Sequence, residues 1–547
     1  MKDNSGFGKG TPMRGGGIRA VSLVATAVLV LGACSGGGDG DADRDGQPAG
    51  QTPNAPSPAG ADEELPELPA EFTEQELAWE PCGAPTPLQG SGAAPAPGWE
   101  CADLTVPLDY ADPGNGETID IAVIRARSAG GSGHLGSLVF NFGGPGGSGV
   151  ATLPRTGDRY AALFEAYDLV SFDPRGVGES AGVVCRSDAE IDASAQEDHG
   201  PPRTPAEERA FLTDSREYAD ACRTRAGDLL PHISTENTAR DLDLLRLALG
   251  DGRLNYFGIS YGTKLGGVYA HLFPDNVGRM VLDAVVDPTR DVVERGLLQT
   301  EGFQRALDHY LADCAEQPDC PTGAGGQEGY DVINGLLEEL RAEPLPTDTD
   351  RQLTRGLAFT ALLSALYSEG SWPFLTDALR QALDEGRGDL MLAAAEQYNG
   401  RDSQGRYRNV GAANNAVNCG DFASRPATDT VHEHLDEFRA ASPVFGETLA
   451  WSIMACAHWP VTGEQDQPEV AAPGARPILL LGTTGDPATP LVGAERMRDA
   501  LGEGVGVLLT YDGEGHGAHS SGDDCVVEAV NAHLLAGSTP DDGTVCP

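Results

Sequence analysis

Residues 254–262 read Leu-Asn-Tyr-Phe-Gly-Ile-Ser-Tyr-Gly, and this stretch decides the fold. Residues 254–257 are apolar and aromatic enough for a short buried strand. They run into Gly258-Ile259-Ser260-Tyr261-Gly262, a G-x-S-x-G sequence, and then into a helical stretch from 261 to about 273. Strand, sharp turn and helix in that order are the context of a nucleophile elbow. The two glycines permit close packing of a strained turn, which leaves the Ser260 hydroxyl exposed above a sheet edge. A bare G-x-S-x-G is common by chance, so its weight rests on its surroundings.

Outward from this turn, further strands are expected at 118–127, 135–142, 167–172, 280–286, 477–481 and 505–510. A helix is expected over 238–249, where Leu242, Leu245 and Leu249 share one face. Strands alternating with helices predict a mostly parallel sheet with helices on both faces. Between 286 and 477 comparable strand patterns are missing, and helical patterns occupy 302–314, 332–342, 357–367 and 375–397. That stretch reads as a helical cap inserted over the site.

The partners of Ser260 follow from chain order, in which the acid precedes the base. The strand 477–481 leads into Thr483-Thr484-Gly485-Asp486-Pro487-Ala488-Thr489-Pro490, and Asp486 is the expected acid. It would hold the imidazole tautomer and stabilise the imidazolium. After 505–510 comes Tyr511-Asp512-Gly513-Glu514-Gly515-His516-Gly517, which puts His516 in a glycine turn as the expected base. His519, three residues on, is the rival. The loop Asn141-Phe142-Gly143-Gly144-Pro145-Gly146-Gly147-Ser148-Gly149 follows an earlier strand and suits an oxyanion hole. Its amide is expected from Gly144, with Gly143 the alternative, and the second amide from Tyr261. Asp173 also ends a strand, but it precedes the serine. It reads as structural, with Arg175 a candidate to brace the oxyanion loop.

The N-terminus reads as an export signal. Lys2, Lys9, Arg14 and Arg19 precede an apolar run at 20–31, which ends in Leu31-Gly32-Ala33-Cys34. That ending resembles a bacterial lipobox, so Cys34 is the expected lipidation site and the first residue of the mature chain. The Gly-, Pro- and acid-rich residues after it read as a disordered tether. Asp41, Asp43 and Asp45 echo the start of a calcium loop, but position twelve is Thr52, and the stretch reads as a solvated linker. The domain plan is therefore a signal at 1–33, a tether at 34–76, hydrolase core at 77–290, cap at 291–470 and core again at 471–547.

There are 11 cysteines. Assigning Cys34 to lipid leaves an even set, which reads as disulfides in an exported protein. Sequence-local pairing gives 82–101, 185–222, 314–320, 419–456 and 525–546. The spacings match no zinc pattern, and neither a metal nor an organic cofactor is expected. The net charge is −46, from 37 basic and 83 acidic residues. Such a surface repels phosphate backbones, so no nucleic-acid partner is expected. It suits solubility outside the cell, or cationic substrates such as peptides with a free amine.

Taken together, these motifs resemble the tripeptidyl-aminopeptidase-like branch of the prolyl-aminopeptidase family of α/β-hydrolases. The matching stretches are N-x-G-G-P-G-x-S-G at 141–149, D-x-R-G-x-G-x-S at 173–180, T-A-R-D-L-D-L-L at 238–245 and G-I-S-Y-G-T at 258–263. Further matches are A-V-N-C-G-D at 416–421, C-A-H-W-P at 456–460, D-P-A-T-P at 486–490 and G-H-G at 515–517. The lipobox and paired cysteines bring the chain closer to lipid-anchored cell-envelope serine proteases of this branch. The resemblance implies an α/β-hydrolase fold and cleavage of short peptides from free N-termini of peptides or proteins through an acyl-enzyme. It implies a triad-supporting role for Thr489, with simple turn capping as the alternative. It also implies cap acids that bind the substrate amine, for which Asp421 is the candidate. Two other readings stay open: a carboxylesterase or lipase with the same triad, and a catalytically silent envelope-binding lipoprotein.

Overall fold

A computed structural model of the chain describes residues 66–131, 133–197 and 200–547. The signal, Cys34, the acidic linker at 41–52 and most of the tether lie outside these residues.

Ten strands form one sheet: β1 (Glu80–Pro81), β2 (Trp99–Pro107), β3 (Thr118–Ala126), β4 (Ser137–Asn141), β5 (Asp168–Phe172), β6 (Leu254–Ile259), β7 (Val277–Asp283), β8 (Ile478–Gly485), β9 (Gly506–Glu514) and β10 (Thr544–Cys546). Their order is β1-β2-β3-β5-β4-β6-β7-β8-β9-β10. From β5 to β10 neighbouring strands run parallel, whereas β1, β2 and β3 are antiparallel. This is the α/β-hydrolase architecture. The reversal of order around β4 makes a topological switch point, where sites form beyond the carboxyl ends of the strands.

The central strands are apolar throughout because both their faces are covered. Val139, Tyr256, Met280, Leu282, Ile478 and Leu480 enter one core, which contains Leu242 and Leu245. Their alternates Leu138, Phe140, Phe257, Val281, Leu479 and Leu481 enter the core on the opposite face. The period of two that places successive side chains on opposite faces thus builds two helix-covered layers.

The cap has a third core of its own, including Phe303, Leu307, Leu337, Leu362, Leu379, Phe438 and Phe445. Several expected bounds move. The apolar run at 375–397 is two helices, Trp372–Glu385 and Asp389–Tyr398, because Gly386 takes a left-handed conformation (φ 65°) that ends the first. The cap also recruits residues expected in the hydrolase core: Ala195, Phe211 and Leu212 pack against its core from the helices Asp188–Gln196 and Pro205–Ala226. Conversely Ala416, Val417, Cys419, Cys456 and Trp459, expected in the cap, join the core beneath the sheet. The packed domain begins before residue 77, since Phe72 in the short helix Ala70–Thr73 is buried against that same core. Strands β1, β2 and β10 have no counterpart in the sequence reading.

All five expected disulfides are present, Cys82–Cys101, Cys185–Cys222, Cys314–Cys320, Cys419–Cys456 and Cys525–Cys546.

Candidate active site

Ser260 sits between β6 and the helix Tyr261–Leu272 with φ 57° and ψ −122°. A non-glycine residue in this region is strained, and the surroundings hold it there. Its N–H donates to the Asp283 carbonyl at 2.9 Å, and its own carbonyl accepts from the Thr263 hydroxyl at 2.6 Å. A Cβ on Gly258 would stand 2.3 Å from the Gly262 carbonyl oxygen, and one on Gly262 would stand 2.5 Å from that of Asn141. The turn therefore closes only with glycine at both places.

The glycine loop after β4 lies directly against this turn. A Cβ on Gly143 would fall 2.9 Å from that of Ser260. The Gly143 amide is already engaged, donating to Asn141 Oδ1 at 3.0 Å. Gly144 lines the same cavity as Ser260 and Tyr261, so Gly144 and Tyr261 are the residues placed to offer amides to an oxyanion. The loop is held from behind by Asp173, whose carboxylate accepts from Ser148 Oγ at 2.6 Å, Gln89 Nε2 at 2.9 Å and the Val150 amide at 3.1 Å. Arg175 does not brace the loop as expected. It is spent on a buried ion pair with Asp241, at 2.6 Å, and on the carbonyls of Pro107, Leu108 and His232. The structural carboxylate Asp173 does that work instead, and burial raises its pKa.

Asp486, itself fully buried, follows β8 in a partly buried turn. Its carboxylate accepts from the Ala488 and Thr489 amides, both at 2.8 Å, and from Thr489 Oγ1 at 2.9 Å. His516 follows β9 and places Nδ1 at 3.0 and 2.9 Å from Asp486 Oδ1 and Oδ2. Nδ1 carries the proton in the neutral ring that this geometry selects. Burial pulls the His516 pKa down, but the Asp486 charge and hydrogen bond, with a contribution from Asp283, outweigh it and leave the pKa above the ordinary value. Nε2 is buried and has no hydrogen-bond partner, so it is not bonded to Ser260 Oγ in this structure. Catalytic hydrogen bonds commonly tighten only when substrate binds.

His519, the rival base, is excluded by its place. It stacks on Tyr160 at 5.4 Å between centroids, and burial pushes its pKa down to about 4. Thr489 stands where the triad-supporting reading requires, with Oγ1 between Asp486 and His516 Nδ1, the latter at 3.3 Å. The cap supplies Tyr367, whose carbonyl accepts the His516 amide at 2.9 Å and whose ring meets the imidazole edge-on.

Two residues that the sequence reading left out matter here. The carboxylate of Asp283, at the end of β7, accepts from the Ala518 and His519 amides, at 2.8 and 3.0 Å. A carboxylate inside the otherwise apolar run 280–286 was the available signal. Arg295 lines the cavity beside Ser260, near the start of the helix Val292–Ala315, and nothing in its sequence context marked it.

The expected amine-binding carboxylate is not free. Asp421 is paired with Lys264 at 2.6 Å and accepts from Thr235. Asp287, the carboxylate lining the Ser260 cavity, is held by Arg496 at 2.7 Å with Arg290 at 3.8 Å. Lys264 and Arg295 face the same cavity, so charge next to the nucleophile is more cationic than the acidic composition suggested.

Residues 442–546, which carry Asp486 and His516, match the family described as TAP-like protein. The serine protease Hip1 of Mycobacterium tuberculosis is 38% identical over 498 residues, covering 86% of this chain and 91% of that protein. The tripeptidyl aminopeptidase of Streptomyces lividans is 33% identical over 489 residues, covering 86% of each chain. Carboxylesterase B of Mycobacterium tuberculosis is 36% identical over 461 residues, covering 82% of this chain and 86% of that protein. Relatives this similar along nearly their whole length, on a sheet that carries Ser260, Asp486 and His516 beyond the ends of β6, β8 and β9, show that the chain belongs to the TAP-like family of α/β-hydrolase serine peptidases.

Proposed function

We propose that this protein is an exported, lipid-anchored serine exopeptidase that removes short peptides from free N-termini. The observation that carries the chemistry is the Asp486–His516 contact at 2.9 Å, set beside a serine held in a strained elbow. Ser260 attacks the scissile carbonyl while His516 Nε2 takes its proton. Asp486 keeps the ring oriented and offsets its charge. The Gly144 and Tyr261 amides receive the oxyanion. The protonated His516 then gives its proton to the departing amine, and water hydrolyses the acyl-enzyme by the reverse sequence.

Exopeptidase action is supported by the cap, which brings Arg295 and Tyr367 to the cavity that Ser260 lines, and by similarity to the Streptomyces aminopeptidase. The cavity beside Ser260 is about 90 Å³. Export and anchoring are supported by the lipobox and by the cysteines: five disulfides consume ten of the 11, and Cys34 is the one left over. The membrane is then a partner through the N-terminal lipid.

The test is a panel of chromogenic aminoacyl, dipeptidyl and tripeptidyl amides, each with free and acetylated N-termini. Faster turnover of free tripeptidyl amides supports the reading, and equal rates for free and acetylated forms overturn it. Similarity to carboxylesterase B favours esterase action as the second reading, which holds if matched esters turn over while every amide is inert.

A further inference from the structure

The cavity beside Ser260 contains a cation that forms no ion pair among the described residues. Of its charged lining residues, Lys264 is paired with Asp421 at 2.6 Å, and Asp287 with Arg496 at 2.7 Å. Arg295 has no ion pair among the described residues, and its Nε and Nη2 are buried without any hydrogen-bond partner. A guanidinium offers five donors, and leaving a buried charged donor unmade is costly.

Its position adds to the cost. Arg295 lies in the first turn of the helix Val292–Ala315, where the backbone already presents partial positive charge; the Phe422 ring, 4.4 Å from its guanidinium carbon, offsets only part of this through a cation–π contact. The nearby acids are committed elsewhere. Asp291 caps its own helix through the Glu294 amide, Asp466 accepts from Ser424, and Asp421 and Asp287 hold the pairs just described. Burial pushes the Arg295 pKa down to about 10 against their pull, so the group stays charged at neutral pH. An acidic chain that keeps an unpaired cation against its nucleophile has room there for an anion brought by substrate.

We propose that Arg295 receives a carboxylate of the peptide substrate next to the bond that Ser260 cleaves. The planar fork of Arg295 matches a carboxylate's two oxygens. The reading rests on the serine-peptidase assignment and adds a preference to it. The carboxylate comes either from an acidic side chain of the residue being acylated or from the free C-terminus of the departing fragment.

The experiment compares matched substrates with the intact wild-type protein and with Arg295→Met. One pair carries Glu or Gln at the residue acylating Ser260, and the other ends in a free acid or an amide. The expected wild-type result is a preference of at least about tenfold in kcat/KM for the charged member of one pair, as a charge-assisted contact supplies. In Arg295→Met that ratio falls towards one. A preference confined to the Glu/Gln pair assigns the side chain, and one confined to the acid/amide pair assigns the C-terminus. No wild-type preference in either pair overturns the proposal, even if the variant fails to fold. A preference that survives intact in Arg295→Met overturns it too. Labelling of wild-type Ser260 by a fluorophosphonate, with turnover of the neutral peptides, separates failure of this proposal from failure of the peptidase reading.

Discussion

Asp283 ties Ser260 to the histidine loop: its carbonyl accepts the Ser260 amide at 2.9 Å, and its carboxylate accepts the Ala518 and His519 amides. One residue at the end of β7 therefore sets where both nucleophile and base stand, without touching substrate. Burial raises the Asp283 pKa to about 6, against which the two amide bonds act.

Asp283→Asn follows as a test of that tie. An asparagine can turn one oxygen to one amide, which leaves the second N–H facing an NH₂ group. The loss is expected to destabilise the fold by about 1–3 kcal/mol. It also loosens His516, so kcat should fall more than KM rises. Thermal unfolding and steady-state kinetics check both, and a variant with wild-type Tm and kcat would show that the tie is dispensable.

Ser260→Ala should keep the fold and lose turnover to below about a thousandth of wild type, because removing a triad nucleophile leaves only the background from oxyanion binding. Circular dichroism reports the fold and amide hydrolysis reports the loss. Residual turnover well above that level would move the nucleophile elsewhere.

The pH dependence follows from His516. Its folded pKa is raised above the ordinary 6.5, so the ring stays protonated to a higher pH than a free imidazole. Only the neutral ring accepts the serine proton. Activity should therefore rise with pH through a midpoint above 6.5. In Asp486→Asn the opposing charge is lost, burial dominates, and the midpoint should move down as kcat collapses. A kcat/KM profile against pH decides, and a wild-type midpoint below the ordinary value would contradict the ion-pair account.

Thr489→Val removes the hydroxyl that donates to Asp486 at 2.9 Å while keeping shape. A lost hydrogen bond to a charged group costs about 1.5–3 kcal/mol, which predicts a fall in kcat of roughly tenfold to a hundredfold. If the residue only capped its turn, Tm would drop and kcat would not. Measuring the two together separates the roles.

Mass spectrometry of membrane-extracted protein should find a diacylglyceryl mass on a peptide beginning at Cys34, and non-reducing maps should find no free thiol among the other ten cysteines. An unmodified N-terminus at another residue would remove the anchor.

Local features of the protein are legible in its amino-acid order. The apolar runs of β4, β6 and β8 declare strands buried on both faces, and the glycines at 258 and 262 declare a turn that no larger residue could close. The Asp486–His516 contact was legible because each residue closely follows its strand, and β8 and β9 are neighbours in the sheet. The disulfides were legible because partners stand only 6 to 37 residues apart. Tertiary structure alone decided which charges cancel. Asp421 was a free carboxylate in the sequence until Lys264, 157 residues away, was folded against it. Asp283 gained its role from amides 235 and 236 residues distant. Arg295 became distinctive only because every acid around it found another partner. Backbone patterns are written in neighbouring residues, whereas a buried charge takes its meaning from groups brought to it by packing, and no local pattern records which ones arrive.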